Sequence, residues 1–388
     1  MDYTLASKRA SNIEQSEIRR MTLECVKKEG INLAQGVADL ELPQIIAEGG
    51  CDAIMNGNNS YTRFDGIYPL RNAISRKAKL YNNIDADPES EIIVSSGATG
   101  AFYVACMSLL NPGDECIIFQ PYYSYHVNTL TAVESKPVFA TLSPPDWDFT
   151  IEELEKLVTP STRAIMINTP ANPCGKVFSR SELEELAGFA IAHDLIVFTD
   201  EIYEYYLYDD TEHISPASLD SIRDRTITIS GYSKTFNITG WRMGYLVCNS
   251  RWAEIIGHLN DLIYVCAPAP LQHGVAKGID ELPYDFYKSI GQSYQHKRDR
   301  ICATLRRIGL TPHVPSGAYY ILADVSAVPG NTSREKAMYI LDNAGVATVP
   351  GKAFFNDTGG DNLVRFCFAK SDDILDRACE KLGSLTLR

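Results

Sequence analysis

Two basic residues and one acidic residue carry the most specific chemistry in this sequence. Lys234 and Arg242 stand eight residues apart in SGYSKTFNITGWRMGY, and Asp200 follows the apolar run LIVFT. A carboxylate there is costly unless it has a partner, which a helix cap or a salt bridge would supply. A lysine near a strand end either stays solvated, as most lysines do, or loses its charge and becomes an imine-forming nucleophile. Arg242 lies between Gly240 and Gly244, which permit close backbone approach, so it could grip a phosphate in a two-pronged contact. Gly97-Ala98-Thr99 opens a helix directly after a strand, a place where free amides and the helix dipole favour phosphate.

These residues must be positioned by a sheet. From about residue 90 to 250 short β-branched runs read as buried strands: 92–96, 116–119, 164–168, 195–199, 226–230 and 245–248. Amphipathic stretches lie between them. One runs 100–110 and stops at Asn-Pro-Gly. Another runs 181–193, with Ser179 as N-cap and Glu182 three residues on. Alternation of this kind predicts an α/β fold with a mostly parallel sheet flanked by helices. In such a sheet ligands bind beyond the carboxyl ends of the strands. Five successive strand ends release GATGA, QPYYSY, TPANPCG, DEIY and GYSK toward one rim. After about residue 285 a charged helix (285–308), the strand-like SGAYYILADV and LVRFCFA, and a closing helix (372–382) predict a smaller α+β domain.

The bulk numbers narrow the function classes. With 388 residues there is room for two domains, or for one large domain with an appendage. A formal charge of −13 argues against nucleic acid and anionic membrane as partners. No apolar run approaches the roughly 18 residues of a membrane span, and the first residues lack the apolar core of a signal peptide. Ten cysteines without a CxxC pair predict reduced, mostly buried thiols in a cytoplasmic protein. The seven histidines form no HxxxH or HxH pair, so no metal site is expected.

The segment around Lys234 resembles the lysine signature of the class I/II aminotransferases, pyridoxal-phosphate enzymes of the aspartate aminotransferase fold (fold type I). The likeness spans nearly the whole chain. INLAQGVADLELP, YTRFDGIYPLR, NTPANPCGKVFS, FTDEIYEYY, VPSGAYYI, GVATVPGKAFF and LVRFCFA each resemble a family landmark, in order. The resemblance implies a large domain over 45–285 and a small domain built from 1–44 and 286–388. It implies that Lys234 carries pyridoxal 5'-phosphate as a Schiff base and later moves the substrate proton. Asp200 would pair with the pyridine nitrogen, and Tyr203 and Asn172 would hydrogen-bond the 3′-oxygen. The amides of Ala98 and Thr99, with Arg242, would hold the phosphate, and Tyr123 would stack on the ring. Arg365 would take the substrate α-carboxylate, aided by Asn172, while the loop at Gly36 closes over it. Tyr61 would reach the phosphate of a neighbouring subunit, which implies a homodimer with shared sites.

The implied reaction moves an amino group from an L-amino acid to a 2-oxo acid. β-Elimination, cyclisation or synthase chemistry on the same fold is the alternative, and a non-enzymatic binding module is a third reading. Departures from the family pattern bear on detail. Cys174 replaces a threonine common in the NPxNPTG segment, and Gly231 replaces a serine, so one phosphate hydroxyl is either missing or supplied by Ser230 or Ser233. The lysine that some aspartate-selective members carry is Thr99 here, which weakens an aspartate-specific reading. Arg63 either meets an acidic substrate or faces solvent. Tyr68, Tyr122, Tyr123, Tyr125 and Phe355 either favour a bulky apolar substrate or belong to the core and the dimer contact.

Overall fold

A computed structural model of the protein describes residues 7–13 and 15–385. Its main body is a seven-stranded sheet. The strands, with β1 set aside at Ile31–Asn32, are β2 (Ile92–Ser96), β3 (Glu115–Gln120), β4 (Lys136–Thr141), β5 (Thr162–Asn168), β6 (Ile196–Asp200), β7 (Thr226–Gly231) and β8 (Met243–Val247). Their order is β2-β8-β7-β6-β5-β3-β4. β8 alone runs against the other six strands, pairing antiparallel with β2 (Val94 opposite Tyr245) and with β7 (Ile229 opposite Leu246). The central strands are buried on both faces, every residue of β7 included, which is why they read as continuous apolar runs.

Helices cover both faces. The Gly97–Leu109 helix follows β2 without a linker, and its N-terminus has no side-chain cap. The Arg180–Ala192 helix begins with a full capping box, Ser179 receiving the Glu182 amide and Glu182 reaching back to Ser179. Behind the β6 end, a buried network fixes the chain after Asp200. The Glu204 carboxylate accepts from Lys77, from Asn82 (2.8 Å) and from Ser230 (3.2 Å).

A second sheet has four antiparallel strands: β9 (Thr311–His313), β10 (Tyr320–Asp324), β12 (Val349–Pro350) and β13 (Leu363–Cys367), in the order β12-β13-β10-β9. The sequence pattern predicts two of the four; β9 and β12 are too short to show a period. The helices Tyr284–Arg307, Ser333–Ala344 and Asp372–Gly383 belong to this half. β1 leaves the N-terminal helix Glu17–Lys27 and pairs in parallel with β11 (Val346–Ala347), so early chain is stitched to late chain. The chain is therefore α/β, as its pattern predicts, with strands flanked by helices.

Candidate active site

The carboxyl ends of β2, β3, β5, β6 and β7 open onto one cleft of about 580 Å³. The reversed direction of β8 matters here. Arg242 precedes β8, so the antiparallel strand starts at the rim where the others finish. The cleft gathers eleven of the twelve residues singled out in the sequence: Gly36, Ala98, Thr99, Tyr123, Asn172, Asp200, Tyr203, Ser233, Lys234, Arg242 and Arg365. Tyr61 is the exception. It is 84% exposed and lies outside this cleft.

Lys234 sits three residues beyond β7. Its Nζ donates to the Gly36 carbonyl at 2.9 Å and lies 5.9 Å from the Tyr319 ring centroid. Burial lowers its pKa from 10.5 to about 8; the nearby Arg365 and Arg242 push the same way, against the Cys367 thiol and Asp200. The amine is thus partly neutral near physiological pH, as a nucleophile or base requires.

Asp200 ends β6, the strand beside β7. One carboxylate oxygen meets His126 Nε2 at 2.8 Å and the other accepts from the Ile202 amide at 3.2 Å. Asn168 braces the same turn, donating to the Asp200 carbonyl at 2.9 Å and accepting from the Asn172 amide at 2.8 Å. Tyr203 shares a hydrogen bond with Tyr320, oxygen to oxygen at 2.9 Å. Burial raises the Tyr320 phenol to about 12, so it stays a neutral donor.

Arg365 occupies the middle of β13 with no exposed surface. It donates to Asn172 Oδ1 (2.8 Å) and to the Ala34 carbonyl (2.6 Å), and its guanidinium lies 4.2 Å from the Tyr320 ring centroid. Its buried Nε has no partner among the described residues. The segment 33–39 crosses over this arginine as a strap. The Gly36 carbonyl takes both Lys234 and Tyr319 (3.0 Å), and Lys370 holds Val37 and Asp39. Only glycine fits at 36, because a Cβ there would stand 1.9 Å from the Tyr320 hydroxyl.

The other end of the cleft is built for an anion. The uncapped start of the Gly97–Leu109 helix offers the amides of Ala98 and Thr99. Gly97 has φ +72, and a Cβ on it would meet the Arg242 guanidinium at 2.3 Å, so arginine and helix start share one corner. Arg242 spends one donor on the Thr239 carbonyl at 2.9 Å. The buried Ser233 hydroxyl has no partner among the described residues. Ser230, the other candidate hydroxyl, is turned away: it bonds Glu204 and the Glu201 carbonyl behind the sheet. The expectation that Ser230 could serve a phosphate is therefore corrected.

Two further expectations resolve plainly. Arg63 pairs with Asp65 (2.6 Å) and Glu89 (3.2 Å) and does not line the cleft. Of the aromatics, Tyr123 and Tyr125 line it, stacked on each other at 5.1 Å, whereas Tyr68, Tyr122 and Phe355 do not. Three contributors escape the sequence reading: His126, Tyr320 and the N-terminal helix, which presents Ser16, Ile18, Arg19 and Thr22 to the cleft. His126 packs its ring edge-on to Tyr123, three residues earlier, so one turn of helix places both.

A low-pKa amine facing a braced carboxylate, with an anion corner on one side and a buried arginine on the other, can bind a phosphorylated carbonyl compound next to a carboxylic acid. The chain is similar to known proteins over nearly its whole length. The profile of the family described as aminotransferase class I and II matches residues 28–382. The aspartate aminotransferase of Pyrococcus abyssi is 36% identical over 97% of both chains. The kynurenine–oxoglutarate transaminase 3 of Rattus norvegicus is 34% identical over 96% of this chain and 89% of its own. The structure of N-succinyldiaminopimelate aminotransferase from Mycobacterium tuberculosis superposes with a TM-score of 0.94 at 32% identity, covering 97% and 99% of the two chains. The chain belongs to the class I and II aminotransferases, and its reaction is amino-group transfer.

Proposed function

We propose that the enzyme moves the amino group of an L-amino acid to a 2-oxo acid, with pyridoxal 5'-phosphate held on Lys234. The observation that carries this reading is the Lys234–Asp200 juxtaposition at the ends of adjacent strands, with the amine's pKa lowered to about 8. The cleft fits the cofactor. Ser233 offers an unpaired buried hydroxyl, Gly97 leaves the space that a side chain would fill, and Arg242 stands against it. In this reading Ala98, Thr99, Ser233 and Arg242 hold the phosphate, Tyr123 stacks on the ring, and Asp200 faces the ring nitrogen. Asn172 and Tyr203 hold the 3′-oxygen. Arg365 takes the α-carboxylate.

Pyridoxal phosphate, when bound, supplies a carbonyl for the amino group and a ring that accepts the electron pair left behind by the α-proton. The chain does the rest. Arg365 and Asn172 fix the α-carboxylate, which orients the α-carbon hydrogen toward Lys234. The Lys234 amine, neutral and at the same rim, would be the group to take that proton from the α-carbon. His126, by holding Asp200 at 2.8 Å, keeps the carboxylate aimed into the cleft. The strap at Gly36 keeps water from the reacting atoms.

The domain division (45–285, with 1–44 joined to 286–388) is part of the proposal; the β1–β11 pairing supports it. So is a homodimer with shared sites, supported by exposed apolar side chains at Met55, Tyr61, Tyr68 and Leu262. No helix among the described residues is long and apolar enough to cross a membrane. All ten cysteines are free, which supports a reducing, cytoplasmic setting.

The test uses purified protein loaded with pyridoxal phosphate. Adding one amino acid should convert the cofactor absorbance to the amine form, and a 2-oxo acid should restore it. Borohydride should fix the cofactor to Lys234. Release of pyruvate and ammonia with no 2-oxo acid present would instead establish the elimination alternative.

A further inference from the structure

The cleft holds more positive charge than the reaction just described consumes. In a chain of formal charge −13, its lining carries Arg19, Lys234, Arg242 and Arg365 against one carboxylate, Asp200, which His126 already engages. In the reading above, Arg365 takes the α-carboxylate, Arg242 the phosphate and Lys234 the carbonyl. Arg19 is left over.

Arg19 is not placed there by accident of exposure. On the Glu17–Lys27 helix, Met21 and Cys25 are buried in the core, while Ile18, Arg19 and Thr22 form a stripe at helical spacing that faces the cleft. The adjacent Arg20 behaves as surface arginines do, pairing with Glu17 at 2.8 Å, and Arg334 takes the same carboxylate at 3.4 Å. Glu17, two residues before Arg19, is thus engaged through one oxygen by two other arginines, and its other oxygen is buried with no partner among the described residues. Among the described residues the Arg19 guanidinium has no ion-pair or hydrogen-bond partner, and it is exposed at the rim. Arg365, by contrast, lies fully buried at the floor. A substrate anchored by its α-carboxylate on Arg365 and by its nitrogen at Lys234 has the rim as the open direction for its side chain. Ile18 gives a methylene stem an apolar surface, and the next residue along the helix is a free cation.

We propose that Arg19 receives the distal carboxylate of a dicarboxylic amino acid or 2-oxo acid, making it a specificity determinant of this enzyme. The proposal rests on the amino-transfer reading and names the substrate class of that site. A planar guanidinium suits a second carboxylate, and two arginines facing opposite ends of one ligand select its length as well as its charge.

The test compares the cofactor-loaded wild type with Arg19→Met and Arg19→Lys. Single-turnover conversion is followed with glutamate and with alanine, and binding of maleate, an unreactive dicarboxylate, by calorimetry. Arg19→Met should lower the ratio of kcat/KM for glutamate over alanine on the order of 10- to 30-fold, the size of a charge-assisted contact partly screened by water. Maleate affinity should fall by a similar factor, and Arg19→Lys should recover part of both. An unchanged ratio, an equal loss for both amino acids, or a wild type that reacts with alanine but not glutamate overturns the proposal. If no amino acid converts the wild-type cofactor, the transfer reading fails instead; maleate titration of the two variants still decides whether Arg19 binds a second carboxylate.

Discussion

Replacing Lys234 by methionine should remove a pH-dependent loss of stability that the wild-type fold carries. The amine's pKa falls from 10.5 to about 8 on folding, chiefly by burial. A base whose folded pKa is depressed binds its proton more weakly in the native state than in the unfolded one. Its penalty is full below pH 8 and disappears above 10.5, so stability rises with pH in between. The whole drop corresponds to roughly 3.4 kcal/mol, of which about 2 kcal/mol is relieved between pH 7.5 and pH 10. The assay is denaturant unfolding of the cofactor-free protein at several pH values, wild type against Lys234→Met. Buried tyrosines and cysteines, raised by burial in the folded protein, titrate in this range only once unfolded, and being common to both proteins they cancel in the difference. The hydrogen bond to Gly36 is lost at every pH, so it shifts the difference without tilting it. Wild type should gain on the variant by about 2 kcal/mol across that interval. Two parallel pH profiles would show that Lys234 keeps an ordinary pKa, and the argument for a neutral amine would fall with it.

The other expectations follow from single contacts. Lys77→Met strands the buried Glu204 carboxylate and should cost about 3–5 kcal/mol in denaturant unfolding, with Glu204→Gln added to it recovering part. Gly97→Ala puts a Cβ 2.3 Å from the Arg242 guanidinium at φ +72, and should weaken cofactor affinity by at least about tenfold in a fluorescence titration. Arg365→Lys keeps the charge but loses the planar two-point contact. It should raise the amino-acid concentration needed for half-maximal conversion on the order of 100-fold while cofactor binding holds.

Most of this architecture is readable where burial and chemistry coincide. Strands β2, β5, β6 and β7 are buried on both faces, so their apolar runs and the polar residues that end them stand out in the sequence. The capping box at Ser179 is a local device and is legible for that reason. β4 is missed because it is an edge strand. Its residues, KPVFAT, are mostly half-exposed, and its proline is tolerated only because no strand lies beyond it. Nothing local in MGYLV says that β8 runs backward, yet that direction puts Arg242 on the correct rim. His126 meets Asp200 across 74 positions, and Arg19 faces the cleft only because β1 carries the N-terminal helix back over the sheet ends. Pattern reasoning sees along the chain, and these contacts are made across it.

The strap at 33–39 has a consequence for how the enzyme comes into being. Leu33 is held by the Ala347 carbonyl and the Cys367 amide, Ala34 by Arg365, and Val37 by Lys370. On a ribosome these residues emerge some three hundred positions before the groups that secure them. The seven-stranded sheet, finished by residue 247, can assemble in the interval, but the strap cannot. A chain interrupted between residue 247 and about residue 370 would own Lys234 and Asp200 and still leave them open to water, so competence arrives with the last stretch translated.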